Sequence, residues 1–126
     1  MKTEKVYTQH EENKTWMSNL LFYRDEIKVM ENRLQEIASK NTSKEVLSQV
    51  EHFQNQFVIQ KETIDTIKHE INLSNDLITL EANKNMTAID HREIKDHSIV
   101  RDNMESFEKV FHSLKTEFNT FLSKWM

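Results

Sequence analysis

Glu93 and His97 stand four residues apart in the last third of the chain. On a helix that spacing puts a carboxylate and an imidazole on one face, where they can share a metal ion or pass a proton between them. Asp90 continues the same phase toward the N-terminus. If the chain folds back on itself twice, Ser74 and Ile71 from the middle third and His10 and Glu11 from the first third arrive at the same height. Glu93, His97 and His10 are therefore the candidate ligands of a metal or small-molecule site. The pattern of di-iron bundles asks for Glu-x-x-His on two helices, and no histidine of this chain has a glutamate three residues before it. The competing expectation is a wet bundle end at which these polar groups face water or one another. No catalytic residue, resident metal or cofactor is assigned on this basis.

Three further features invite a chemical reading. In His52-Phe53-Gln54-Asn55-Gln56-Phe57 the two phenylalanines share one helical face, and the histidine and amides fall on flanking or outer positions that suit solvent. His69, His91 and His112 likewise fall off the apolar face. Gln60 and Ser74 interrupt an otherwise apolar stripe. Buried polar residues of that kind fix register at a cost in stability, which is expected here ahead of a ligand pocket at Gln60. Finally, Phe22 and Val29, seven apart, and Ile59, Leu73 and Leu80, at the equivalent position of the next segment with Leu77 beside them, lie off the main stripe. Apolar surface that a core does not use marks an interface, so these six residues form the expected interaction surface.

The elements that must position these groups follow from composition and spacing. The 126 residues include no Gly, no Pro and no Cys. Phosphate-cradling loops, nucleophile elbows and tight hairpins rely on residues that accept positive φ or close backbone approach, so all of them are disfavoured together. Long uninterrupted helices, where Gly and Pro cost most, are favoured. Without cysteine there is no disulfide frame and no thiolate chemistry. The formal net charge is -4 with basic residues scattered among acids, which argues against a nucleic-acid partner. No stretch approaches the roughly 18 apolar residues of a membrane span, and Met1-Lys2-Thr3-Glu4-Lys5 opens no signal sequence, so the chain is expected to be soluble and cytoplasmic, with no membrane partner.

Apolar residues recur with alternating steps of four and three at Trp16, Leu20, Tyr23, Ile27, Met30, Leu34 and Ile37. The same rule holds at Val46, Val50, Phe53, Phe57, Ile64, Ile67 and Ile71, and again at Val100, Met104, Phe107, Phe111, Leu114, Phe118, Phe121 and Trp125. Each run is the seam of a coiled-coil-like helix. The phase breaks between Ile37 and Val46 and between Ile78 and Met86, at Asn41 and at Asn83-Lys84-Asn85, where asparagine can end a helix in the left-handed conformation. Thr42 with Glu45, and Thr87 with Asp90, have the spacing of capping boxes. These breaks favour three helices over one continuous rod. Folding at the breaks puts Tyr23, Phe57 and Phe111 at one height and Val29, Phe53 and Leu114 at another.

The expectation is an all-α domain over residues 1–126, an antiparallel up-down-up three-helix bundle with helices at about 4–39, 43–83 and 87–125. In architecture alone it resembles a spectrin-type repeat with longer helices. Its expected role is non-enzymatic: protein–protein interaction or scaffolding, with another protein or with itself as a homodimer. The alternative is a metal- or small-ligand-binding bundle built on the polar layer around Glu93 and His97.

Overall fold

A computed structural model describes residues 2–82 and 86–126, with side chains described over 8–76 and 97–126. The turn at 83–85, the Thr87–Asp90 pair, and the side chains of Leu77, Leu80, Asp90, His91 and Glu93 lie outside the described residues. Three helices account for the fold: α1 (Lys2–Lys40), α2 (Lys44–Ala82) and α3 (Met86–Trp125). Each packs against both of the others, and no strand occurs among the described residues.

The seams read from the sequence are the core. Leu20, Ile27, Leu34 and Ile37 of α1, Val46, Phe57, Ile64 and Ile71 of α2, and Met104, Phe111 and Phe118 of α3 are almost fully withdrawn from water. Trp16 and Trp125, at the two extremes of the pattern, are partly buried against the same cluster. One stripe per helix suffices because a three-helix bundle encloses a single axis, and burying an aromatic ring there removes about 150 to 250 Å² from water.

The first turn is built differently from the capping-box expectation. Ser43, not Thr42, is the cap: its Oγ accepts from the backbone N–H of Val46 at 3.3 Å, and its carbonyl accepts the first helical bond, from Leu47, at 3.0 Å. Asn41 ends α1 through its side chain, donating from Nδ2 to the Ile37 carbonyl at 2.9 Å. No described residue has positive φ, so Asn41 does not take the left-handed conformation. A side-chain amide can satisfy a helix-end carbonyl without that backbone excursion.

The expected aromatic levels are half right. The Tyr23 ring meets Phe111 at 4.7 Å and Phe107 at 5.5 Å between centroids. Phe57 instead packs on Phe118 at 5.3 Å, and Phe53 on Phe118 and Phe121 at 5.2 and 5.0 Å. Counting heights from the turns treats the helices as parallel rods with equal connections, whereas knobs settling into holes decide the register, here one to two turns further along α3 for the α2 rings.

Phe118 has no exposed surface and is met by three aromatic rings. Phe118→Ala is expected to lower the unfolding free energy by about 3 to 5 kcal/mol in denaturant titrations. Trp125→Ala, at a partly buried position, should cost clearly less.

Candidate functional site: a buried polar layer and two apolar grooves

Toward the end of the bundle away from the Asn41 turn, the seams turn polar. Gln9 and Asn13 occupy the α1 seam, Ser74 the α2 seam and His97 the α3 seam, and all four are buried. Asn13 donates from Nδ2 to Ser74 Oγ at 3.3 Å and to Asn75 Oδ1 at 3.0 Å. This ties α1 to α2 at a level where an apolar layer would otherwise sit. On the α3 side His97, only 2% exposed, lies with its ring stacked on Trp16 at 4.8 Å and its Nε2 at 2.9 Å from Glu12 Oε1. Arg101 donates to the same oxygen at 2.8 Å.

Burial by itself raises the Glu12 pKa. The hydrogen bonds from His97 and Arg101, and the charges of both, outweigh it and hold the carboxyl below its ordinary value of 4.5. An ionised Glu12 only accepts, so His97 donates through Nε2–H, and a neutral ring then carries its lone pair on Nδ1. That atom is buried and has no hydrogen-bond partner among the described residues, as is true of Asn13 Oδ1 and Gln9 Oε1.

The layer differs in membership from the sequence expectation. His97 is in it and Ser74 is in it. His10 and Glu11 are not: His10 is exposed, as is Glu11, and the carboxylate that meets His97 belongs to Glu12. Fold-back counting fixes height along the axis but not direction around it, and Glu12 is the acid that flanks the seam residue Asn13. Glu93 lies outside the described residues. Among the described residues no three His, Asp or Glu side chains converge to hold a metal.

The off-seam apolar residues divide between two grooves instead of forming one stripe. Phe22 and Val29 border the α1–α3 groove, with Met30, Phe118 and Leu122 in its floor and the Glu26–Lys115 ion pair, 3.1 Å, across it. Ile59 borders the α2–α3 groove, facing Val110 across Gln60 and Phe107. Leu73 follows Ile59 by two heptads on the same side of α2. The exposures of Phe22, Val29, Ile59 and Leu73 run from 48% to 60%, so none has been absorbed by the core. Gln60 is buried at the floor of the α2–α3 groove, and its Oε1 has no hydrogen-bond partner among the described residues. His52 and Glu117 close the far end of that groove at 3.1 Å, and Phe53 and Phe57 face inward while Gln54 and Asn55 face water.

Tyr23 joins α1 to α3 beside the first groove, donating to Glu108. Burial, the bond to Glu108 and the charges of Glu108 and Glu26 push its pKa up to about 12.

Glu12, Asn13, Arg101, Val110 and Ile99 had no place in the sequence expectation. Carrying the four-three spacing back from Trp16 would have reached Asn13 and Gln9. Val110 carries no such signal, because it flanks a seam whose own residues already fill the pattern.

Because folding lowers the Glu12 pKa, the stability it contributes is present above the unfolded value and is lost as pH falls through the folded one. The advantage of the wild type over Glu12→Gln in urea unfolding should therefore be largest near neutrality and vanish well below pH 4.5. A difference that stays constant with pH would mean that the carboxylate charge is not what Glu12 contributes. Among known proteins, no family model, no curated protein and no solved structure matches the chain.

Proposed function

We propose that this bundle is an interaction module that presents apolar grooves between its helices to a protein surface. The observation that carries this is the half-exposed apolar side chains bordering each groove: Phe22 and Val29 above partly buried Leu122 over α1–α3, and Ile59 with Val110 over α2–α3. Large apolar groups cost free energy in water unless something covers them, and contiguous ones gather where proteins meet. Grooves between helices accept an amphipathic helix, whose apolar positions repeat with the same spacing. No helix among the described residues is long and apolar enough to cross a membrane.

The test is affinity capture with the chain as bait, comparing the wild type with Phe22→Glu/Val29→Glu and with Ile59→Glu/Val110→Glu. The substituted residues are half-exposed, so helicity and melting temperature should stay close to wild type. Loss of a captured partner, or of self-association, in at least one folded variant is expected. Retention of every association in both variants would remove the proposal.

A second reading rests on His97, whose Nε2–H is held by a carboxylate while its Nδ1 is buried and unpartnered among the described residues. A carboxylate behind an imidazole orients it as a metal ligand. Under this reading Glu93 and His97 bind a divalent cation or a small ligand. Cobalt(II) titration should then give a visible absorption band that His97→Ala abolishes, and identical spectra for the two proteins would discard it.

A further inference from the structure

We infer that the α2–α3 face is covered by a second copy of this chain, related by a two-fold axis near Thr66, so that Ile59 and Val110 of each copy rest on the partner's Leu73 and Ile99. The inference rests on the interaction-module reading and names its partner.

The first ground is charge. The five basic residues of α2 and α3 between residues 52 and 73 and between 99 and 120 all avoid this face. Lys61, Arg101 and Lys115 reach back to Glu31, Glu12 and Glu26 of α1. Lys68 lies one heptad from Lys61 on the same side, and Lys109 lies two residues beyond the seam residue Phe107, on the outer side of α3. The α1–α2 and α1–α3 seams are both laced by ion pairs involving lysine or arginine. Across α2–α3 the pairs are Asn103 with Glu70 and His52 with Glu117. Depletion of lysine is one mark of the centre of an interface, and the carboxylates Glu70 and Glu117 of this face are already bonded to Asn103 and His52.

The second ground is self-complementarity. The bond between Glu70 and Asn103 sets those two residues level. Leu73, three residues past Glu70, and Ile99, four residues before Asn103, therefore stand together at one level of the antiparallel pair, both more than half exposed. Ile99 precedes Ser106 by seven residues and so lies on the side of α3 that lines the groove. The face thus carries two apolar pairs, Ile59 with Val110 and Leu73 with Ile99. Thr66 falls midway between Ile59 and Leu73. Ile99 and Val110 are eleven residues apart on α3, so a two-fold axis close to Thr66 brings each pair to within about one helical turn of the other, the arrangement of an isologous interface. The hydroxyl residues Thr63, Thr66 and Ser106 between the pairs are small enough to let two such faces approach closely.

The third ground is size. From Gln56 to Asp76, ten residues either side of Thr66, the face runs about 30 Å at 1.5 Å per residue, and two helices make it about 20 Å wide. Covering it in both copies would bury about 1,200 Å², the lower end of the range for specific association.

Light scattering across a concentration series should give twice the chain mass of 15.2 kDa, falling to the monomer on dilution. Ile59→Glu/Val110→Glu should be monomeric throughout, with wild-type helicity, while Phe22→Glu/Val29→Glu still dimerises. Because the chain has no cysteine, Thr66→Cys offers a single thiol. Mild oxidation should link it to the partner's Thr66→Cys as a covalent dimer. A monomer at millimolar concentration overturns the inference, as does a dimer that Ile59→Glu/Val110→Glu leaves intact or that Thr66→Cys fails to link. If the protein is monomeric but groove-dependent capture of another protein persists, only the second copy is excluded. If neither mass nor capture responds to the groove variants, the interaction reading falls with it.

Discussion

Everything in this fold depends on three apolar seams meeting along one axis. A four-three repeat gives each helix a single buried stripe, and the stripe is narrow. Leu20, Ile27 and Leu34 of α1, Phe57, Ile64 and Ile71 of α2, and Phe111 and Phe118 of α3 fill that stripe and are almost fully withdrawn from water. Residues on flanking positions must then pair electrostatically, stay wet, or wait for another surface. The three outer faces of the bundle sort along these lines. Ion pairs such as Lys61–Glu31 and Lys115–Glu26 bridge α1 to its neighbours. Each exposed pair of that kind adds only about 0 to 1 kcal/mol, so they select which helices lie side by side more than they hold the bundle together. Across the α2–α3 face no lysine or arginine bridge occurs among the described residues, where His52–Glu117 and Asn103–Glu70 are the pairs.

The same constraint makes the polar layer costly. At the level of Asn13, Ser74 and His97 the seams carry an amide, a hydroxyl and an imidazole where Leu, Ile and Phe stand elsewhere. Buried polar groups lower stability unless hydrogen-bonded, and here the bonding is partial: Asn13 donates twice while its Oδ1 finds no partner among the described residues. Such a layer is a strong device for register. Sliding α1 by a heptad against α2 would set Asn13 against Ile67 or Leu20 against Ser74, and would part Glu12 from His97. The apolar layers, being near-equivalent, would tolerate that slip far better.

How much of this was legible in the sequence depends on which quantity a residue encodes. Periodicity encodes which face is buried, so the seams and the exposure of Phe22, Val29, Ile59 and Leu73 were readable. Loss of phase at Asn41 marked the first turn, but not that Ser43 would cap α2, because Thr42 and Ser43 are chemically near-equal and only the backbone chooses between them. Height could be counted, and it brought His97 and Ser74 together. Direction around the axis could not be counted from turns alone, which is why Glu11 and His10 were expected where Glu12 is found. Grouping Phe22 with Ile59 failed for the same reason. Equivalent heptad positions on α1 and α2 face different neighbours, because antiparallel helices meet α3 from opposite sides.

That last geometric fact bears on function. In an up-down-up bundle the same off-seam position points toward the α1–α3 groove on the first helix and the α2–α3 groove on the second. Apolar residues there create two separate surfaces with different borders. The first is edged by Asp25, Glu26, Arg33 and Lys115, charged groups of both signs that a partner would have to match. The second is edged by Thr63, Thr66 and Ser106 with Glu70 already bonded to Asn103, and demands little charge matching. A surface with few charges to satisfy and its apolar pairs disposed about a midpoint is the easier one for an identical surface to cover. The charged groove is the one suited to discriminate among unlike partners, since specificity comes as much from rejecting mismatched charges as from burying apolar surface. The two grooves share no lining residue, because α3 presents opposite flanks to them.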